Sequence, residues 1–243
     1  SWSDQQGTLL LSGRDLLVQR NDADLDGGFR VEVRDNAPDW ISLDLHGRNI
    51  SASDRLTYIP PHALNDGLKT WIDASISEAG QADDVNVLVQ GELIDNAQPH
   101  VRVRVEASDL EITFDENWPT AKRVSGVFEF DKMGVSVQID SAYLSDLPVT
   151  NIKLSVPINN GSADWLNVKG EVADDSSTIL SMLENTPLID SVLKPFSNWE
   201  LEGYIEGRFD ISLPSSKSVD PKIELGLIFK DNYLLIKDLN LPS

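Results

Sequence analysis

Apolar and polar residues alternate along most of this 243-residue chain. Val101, Val103 and Val105, for example, are each separated from the next by an arginine. The same alternation recurs over residues 29–34, 41–46, 110–115, 133–139, 152–156, 166–172, 201–211 and 223–229. A period of two places every second side chain on one face of a β-strand, so each segment predicts a strand with one buried face. No apolar run approaches the roughly 18 residues that a membrane-spanning helix needs.

Short turn signals separate these segments. They are Asp26-Gly27-Gly28, Asp35-Asn36, Asp131-Lys132, Asn159-Asn160-Gly161 and Asp231-Asn232. Many strands with short connections indicate neighbouring antiparallel pairs rather than βαβ units. The sequence therefore predicts a mainly β fold, a large antiparallel meander sheet with a few short helices. No strong linker interrupts it, so we expect residues 1–243 to form one continuous β-rich segment.

Helical spacing occurs in two places. Leu64, Leu68 and Trp71 predict one amphipathic helix, with Ile72 and Ile76 on the same face. A pair of short helices is predicted further along the chain. The first contains Ile179, Leu180 and Leu183, and the second begins with Thr186 as N-cap and Pro187 at the first helical position. Neither region is strongly basic, so we expect these helices to cover part of the sheet.

A short pattern with a central glycine recurs four times. In each case a β-branched residue precedes the glycine by two positions and a bulky apolar residue follows it by two. The central glycines are Gly91, Gly126, Gly170 and Gly207. Period two places them on the apolar face, where glycine adds no packing and weakens a strand. Either these glycines let the sheet bend sharply, or they leave room for something that lies across it.

Composition excludes several classes of function. Forty acidic against twenty basic residues give a net charge of -20, which repels nucleic acid and anionic headgroups from the general surface. The absence of cysteine excludes disulfides, thiolate nucleophiles and cysteine-based metal sites. The sequence contains no G-x-S-x-G, P-loop or dinucleotide-binding motif. We therefore expect no catalytic residues and no cofactor.

One segment resembles a calcium-binding loop. Asp22, Asp24 and Asp26 place carboxylates at alternate positions before Gly27, but the twelfth loop position is Val33 rather than a bidentate glutamate. The sequence favours a solvated hairpin turn and no metal site, and it leaves calcium as the alternative. The three histidines have no neighbouring ligand pattern, and we expect them at the surface; His46 continues the polar face of a strand.

Three blocks of sequence occur in an order that is specific to one family. Tyr58-Ile59-Pro60 precedes the helix through Leu68 and a strand that ends at Gly91-Glu92-Leu93. Trp118-Pro119 precedes a strand through Gly126, Phe128 and Phe130. Thr186-Pro187-Leu188 precedes a strand through Gly203 and Gly207 that ends at Leu213-Pro214. In this order the blocks resemble the central region of the YhdP-like envelope proteins of the AsmA-like superfamily, from about Thr8 to Leu213.

The resemblance implies a twisted sheet curved into a groove, in an internal segment of a longer protein. It implies a periplasmic location, an inner-membrane anchor in a segment absent here, and a non-enzymatic role in moving phospholipid between the membranes. The partners would be phospholipid acyl chains, with envelope proteins as further candidates. The expected groove lining is Val87, Val89, Gly91, Val103, Val105, Ile112, Gly126, Phe128, Val135, Val137, Leu154, Val168 and Gly170, with the glycines widening it. A structural or partner-binding β module of the envelope, without lipid, explains the same pattern, and a hydrolase is a more distant alternative.

Overall fold

The computed structural model describes residues 2–4, 8–20, 22–57, 66–93, 99–114, 117–159, 162–163, 165–186, 199–215 and 219–236. The strands are β1 (Trp2–Asp4), β2 (Thr8–Arg20), β3 (Ala23–Arg34), β4 (Asp39–Ser51), β5 (Gln81–Leu93), β6 (His100–Ile112), β7 (Ala121–Asp131), β8 (Gly134–Leu144), β9 (Leu147–Asn159), β10 (Ser162–Ala163), β11 (Trp165–Asp175), β12 (Trp199–Pro214) and β13 (Lys222–Ile236). The helices are α1 (Asp66–Ser75), α2 (Ser176–Glu184) and a 3-10 turn over Ala52–Asp54.

The strands form one antiparallel meander. They pair in chain order from β1 to β9 and then through β11 and β12 to β13, while the short β10 pairs back onto β9. The result is an open, curled sheet, which confirms the predicted mainly β, groove-like meander. Among the described residues, no helix is long and apolar enough to cross a membrane.

The turn predictions are only partly correct. Asp35-Asn36 lies in the turn between β3 and β4, and the turn after β7 follows Asp131, as predicted. Asp26-Gly27-Gly28 and Asp231-Asn232 were expected to be turns, but both lie inside long strands. The turn at Asn160-Gly161 falls outside the described residues.

β-bulges explain why the polar signals at Asp231 and elsewhere do not end strands. Non-glycine residues with positive φ occur inside six strands: Asp15, Asn49, Asp109, Arg123, Asn151 and Asp231. Asp and Asn tolerate this conformation best, and a bulge adds one residue while it bends and twists the strand. At Asp109 the bulge shifts the alternation of β6 by one position. Val105 and Leu110 therefore share a face, and two alternating segments of the sequence form one strand.

The two helical regions lie at one end of the sheet, which we call the helix end. This end contains the last residue of β4, Ser51, and the first of β5, Gln81, with α1 between them, and α2 joins β11 to β12. The helix end therefore also contains Ile112 and Leu147. The opposite end, with Asp131 and Gly134, is called the open end. α2 confirms the helix predicted through Ile179 and Leu183, whereas Leu64 and the helix after Thr186 fall outside the described residues.

Among the described residues, the cluster of buried side chains that forms the core lies at the helix end, whereas Ile211, paired with Val168 on β11, is buried outside this cluster. Val124 and Leu147 are completely inaccessible to solvent, and Val149 is 2% exposed. The cluster also contains Ala52, Ala107, Leu110, Ile112, Ala121, Ala142, Ile152, Ile179 and Ile205. Towards the two sheet edges the apolar side chains are exposed instead, including Leu9 and Leu11 on β2 and Leu225 and Leu227 on β13. In the part of the chain that the structure describes, the apolar face is thus only partly buried.

The glycines of the recurring pattern are sites of close approach. A phenyl carbon of Phe209, on the next strand, would lie 2.5 Å from a Cβ atom at Gly170. An aromatic ring folded over a glycine on the neighbouring strand is a known way to restore packing there. At Gly126 a Cβ atom would overlap the backbone carbonyl of Gln138 on β8. The space above these two glycines is occupied, which favours the bending alternative and argues against Gly126 and Gly170 as positions that widen a groove.

We expect Gly126→Ala to lower the free energy of unfolding by about 1–3 kcal/mol, because the added methyl group forces β7 away from β8. Gly226 is the matched control, since nothing lies within 4 Å of a Cβ atom there. Gly226→Ala should leave stability unchanged or raise it by up to about 1 kcal/mol. Urea unfolding followed by circular dichroism measures both, and equal stability of the two variants would contradict the close approach at Gly126.

Candidate functional site

The apolar face between β6 and β9 is built from cross-strand rows. In one row Val103 pairs with Phe130, Phe130 with Val135, and Val135 with Val156. The next row towards the helix end is Val105, Phe128, Val137 and Leu154. All eight side chains are half-buried, although they are apolar and lie in the middle of the sheet. We call these two rows the apolar strip.

The expected groove residues fall on this strip and around it. Val103, Val105, Phe128, Val135, Val137 and Leu154 belong to it, and Val168 continues its second row on β11. Val87 and Val89 extend the same face onto β5, opposite Val103 and Val101. Ile112 lies elsewhere, in the buried core, with a bridge to Ile76 just after α1. Gly91 is buried at the end of β5 near Pro99, and Gly126 and Gly170 border the core.

A cavity of about 570 Å³ lies at the open end over the first row of the strip. Its lining residues centre on the row Val103, Phe130, Val135 and Val156, together with the residues that flank each of them and Met133. Drug-sized ligand sites span about 300–1,000 Å³, so the volume falls in that range, although charged residues such as Arg102 and Asp131 are part of the lining. Phe130 and Val156 were not among the candidate residues, because only the strand register shows that they complete this row.

The opposite face of the same strands is charged. Arg104 contacts Glu106 at 2.6 Å and Glu129 on the neighbouring strand at 3.2 Å. Further cross-strand pairs join Lys169 to Asp210, Arg208 to Glu171 and Lys230 to Glu206. Exposed pairs of this kind add little stability, but they keep the outer face in water. One face of the sheet is therefore exposed to water, and the other face is apolar and incompletely covered.

His46 links three strands on this charged face. Its Nε2 lies 2.7 Å from Oδ2 of Asp84 on β5, and its Nδ1 lies 3.2 Å from Oδ1 of Asp26 on β3. The hydrogen bond to Asp84 stabilises the protonated ring and raises the pKa of His46, and the same bond lowers the pKa of Asp84. Arg48 also pairs with Asp26 at 3.0 Å. Sequence analysis placed His46 correctly on the polar face but did not identify its two partners, which lie 20 and 38 residues away.

We expect His46 to make stability depend on pH. Its contribution is complete below the ordinary histidine pKa of 6.5 and is lost as the pH rises through the raised pKa of the folded state. Asp84 contributes above its ordinary pKa of 3.8 and loses that contribution as the pH falls through its lowered pKa. When the pH is lowered from 8 to 5.5, the free energy of unfolding should therefore change differently in the wild type and in His46→Gln. The wild type should gain up to about 1 kcal/mol relative to the variant. Urea unfolding at both values measures this, and identical pH dependence in the two proteins would contradict the contact.

The calcium alternative is not supported in the described part of the chain. Asp24 and Asp26 lie within β3, not in a loop, and Asp26 contacts His46 and Arg48. Asp22 lies in the turn before β3. Among the described residues, no group of three or more histidine, aspartate or glutamate side chains could hold a metal ion.

Comparison with known proteins places this chain in a family. The profile of the family described as "YhdP protein" matches residues 1–242. A relative from Escherichia coli (strain K12), named "Intermembrane phospholipid transporter YhdP", is 21% identical over 245 residues; the match covers 99% of this chain but 19% of the relative. No solved structure matches the chain. Because the family profile covers nearly every residue, this chain belongs to the YhdP protein family.

Proposed function

We propose that this chain is a non-enzymatic segment of a longer YhdP-like protein that shields phospholipid acyl chains in an apolar β-groove during transport between the inner and outer membranes. The incompletely covered apolar strip is the observation that carries the proposal. Its half-buried side chains lie beside a buried core on the same face, so among the described residues water is excluded from the core but only partly from the strip.

Acyl chains suit this surface on energetic grounds. Each methylene moved from water to an apolar surface gains about 0.8 kcal/mol, so partial burial of one chain yields several kcal/mol. The strip requires no hydrogen-bonding partner, and the charged outer face lets the headgroup remain in water. The relative's name, intermembrane phospholipid transporter, agrees with this cargo. The proposed lining is the eight residues of the strip, with Val87, Val89 and Val168 extending it.

The remaining parts of the proposal concern the longer protein. We place the segment, residues 1–243, in the periplasm, with an inner-membrane anchor in a part of the protein outside this chain. Membrane contact would occur through such outside parts, because the net charge of -20 repels anionic headgroups and nucleic acid from this surface. Envelope proteins are the other proposed partners.

A second candidate function is a structural or partner-binding β module of the envelope without lipid cargo. The packed helix end favours it, since Val124, Leu147 and Val149 form a rigid core of the kind a spacer needs. The two functions differ in what they require of the strip. A spacer needs no ligand on the strip, whereas a lipid conduit must bind one there.

Lipid binding tests the proposal directly. Native mass spectrometry after gentle purification should show the chain carrying phospholipid. The delipidated chain should then bind a fluorescent phospholipid. A chain that purifies without lipid and also fails to bind the fluorescent phospholipid would overturn the proposal in favour of the structural module.

A further inference from the structure

Along β6 to β9, the apolar face changes from half-buried in the strip to mostly buried within one row. Beyond the strip, Ala107 pairs with Gly126, Gly126 with Ile139, and Ile139 with Ile152. We call these four residues the border row. Ala107 is 5% exposed and Ile152 is 8% exposed, while Ile139 is half-buried and packs against the core. Behind them lies the core, in which Val124 has no exposed surface.

The chain itself closes the face beyond the border row. On α2, the side chains of Ile179, Met182 and Leu183 pack into or against the buried cluster, and Ile76 does so just after α1. The hydroxyl of Ser176, at the start of α2, donates a hydrogen bond of 2.8 Å to the backbone carbonyl of Leu201 on β12. This bond fixes α2 to the sheet, so the border row is the edge of a packed region.

The distance to this edge fits one acyl chain. Val101 lies near the open end of β6, and Ala107 lies six positions further along the strand, which at about 3.3 Å per residue is about 20 Å. One leaflet of a bilayer's hydrocarbon core is about 15 Å thick. A chain whose headgroup stays in water beside the open end therefore reaches towards the border row with its terminal methyl group.

We infer that the border row acts as a stop for the acyl chain and sets the length of chain that the strip binds. The inference rests on the proposed function and adds a specificity determinant to it. A methylene gains binding energy only while it covers the strip. Each one changes the binding constant about fourfold, and a methylene that cannot pass the border row contributes nothing.

Saturated lysophosphatidylcholines with chains of 10 to 18 carbons test the inference, because each has a single chain. Titrated below their micelle concentrations into the delipidated chain, they should bind more tightly with length, about fourfold per methylene, and then reach a plateau. A binding constant that rises without a plateau to the longest soluble chain would overturn the inference, because the terminal methyl group then meets no stop.

Two variants move the stop in opposite directions. Ile139→Ala shortens a side chain of the border row and should shift the plateau to chains about two carbons longer. Val137→Phe fills the neighbouring row of the strip and should shift it to chains about two carbons shorter. Gln138→Phe is the control, since Gln138 is exposed on the outer face of the same strand, and its plateau should match the wild type.

The outcomes separate the two proposals. Wild-type chain that binds none of the lipids overturns the proposed function, and with it the stop. Lipid binding with the same plateau in wild type and Val137→Phe overturns the stop alone. Circular dichroism shows whether each variant is folded. If Ile139→Ala does not fold, Val137→Phe alone tests whether the border row stops the acyl chain.

Discussion

We expect Val124→Asp to lose its cooperative unfolding transition. Val124 has no solvent-exposed surface, and its neighbours in the core are apolar, including Leu110, with which it pairs across the sheet. A carboxylate there has neither water nor a cation, so it destabilises the fold by about 4 kcal/mol or more. Domains are typically stable by only about 5–15 kcal/mol, so most of the stability is lost. Urea unfolding followed by circular dichroism measures the change.

Val127→Asp is the matched control on the same strand. Val127 lies on the opposite face of β7, between Glu106 and Gln138 on the neighbouring strands, and is half-buried. An aspartate there remains hydrated, and the repulsion from Glu106 costs less than about 1 kcal/mol. Equal destabilisation by the two substitutions would show that burial at the helix end is not confined to one face.

Lipid binding should be lost in Val135→Asp. Val135 lies in the centre of the first row of the strip, between Phe130 and Val156, and it lines the cavity at the open end. A charge at this point forces water onto the acyl chain or is itself desolvated. We expect at least a tenfold weaker binding constant for fluorescent phospholipid, equivalent to about 1.4 kcal/mol. Because Val135 is half-buried and not part of the fully buried core, the variant should stay folded, with a modest loss of stability.

Ser136→Asp provides the control for this variant. Ser136 follows Val135 on β8, but it is exposed on the charged face between Glu129 and Ser155. Both variants add one negative charge at almost the same place in the chain, so they differ in the face that receives it. If both weaken lipid binding equally, the effect comes from net charge, and the strip is not the binding surface.

The alternating pattern was sufficient to predict the meander and the two faces of the sheet. It placed Val103, Val135 and Leu154 on the apolar face because the direction of a side chain in a strand depends only on its position along that strand. The pattern led to wrong predictions where a bulge adds one residue to a strand. Asp231-Asn232 resembles a turn locally, yet Asp231 adopts a positive φ within β13 and the strand continues.

The candidate site shows the same division. Six of the residues expected to line a groove lie on the strip, where their role stays a prediction, whereas Ile112 is covered near α1. For Gly126 and Gly170 sequence analysis left a bend or free space as alternatives, and atoms of Gln138 and Phe209 occupy that space, which favours the bend. Whether the apolar face of a strand is buried depends on the segments that pack over it. Those contacts join residues that lie far apart in the chain.

The sequence by itself determined the antiparallel sheet, its apolar face and its charged face, because strand periodicity and net charge are properties of the chain without reference to its partners. Only the tertiary structure decided how the strands register into rows, where bulges bend them, and which part of the apolar face α2 and its neighbours cover. The physical reason is that burial is a property of contacts between distant segments, so identical alternation yields a packed core around Val124 and an incompletely covered strip around Val135.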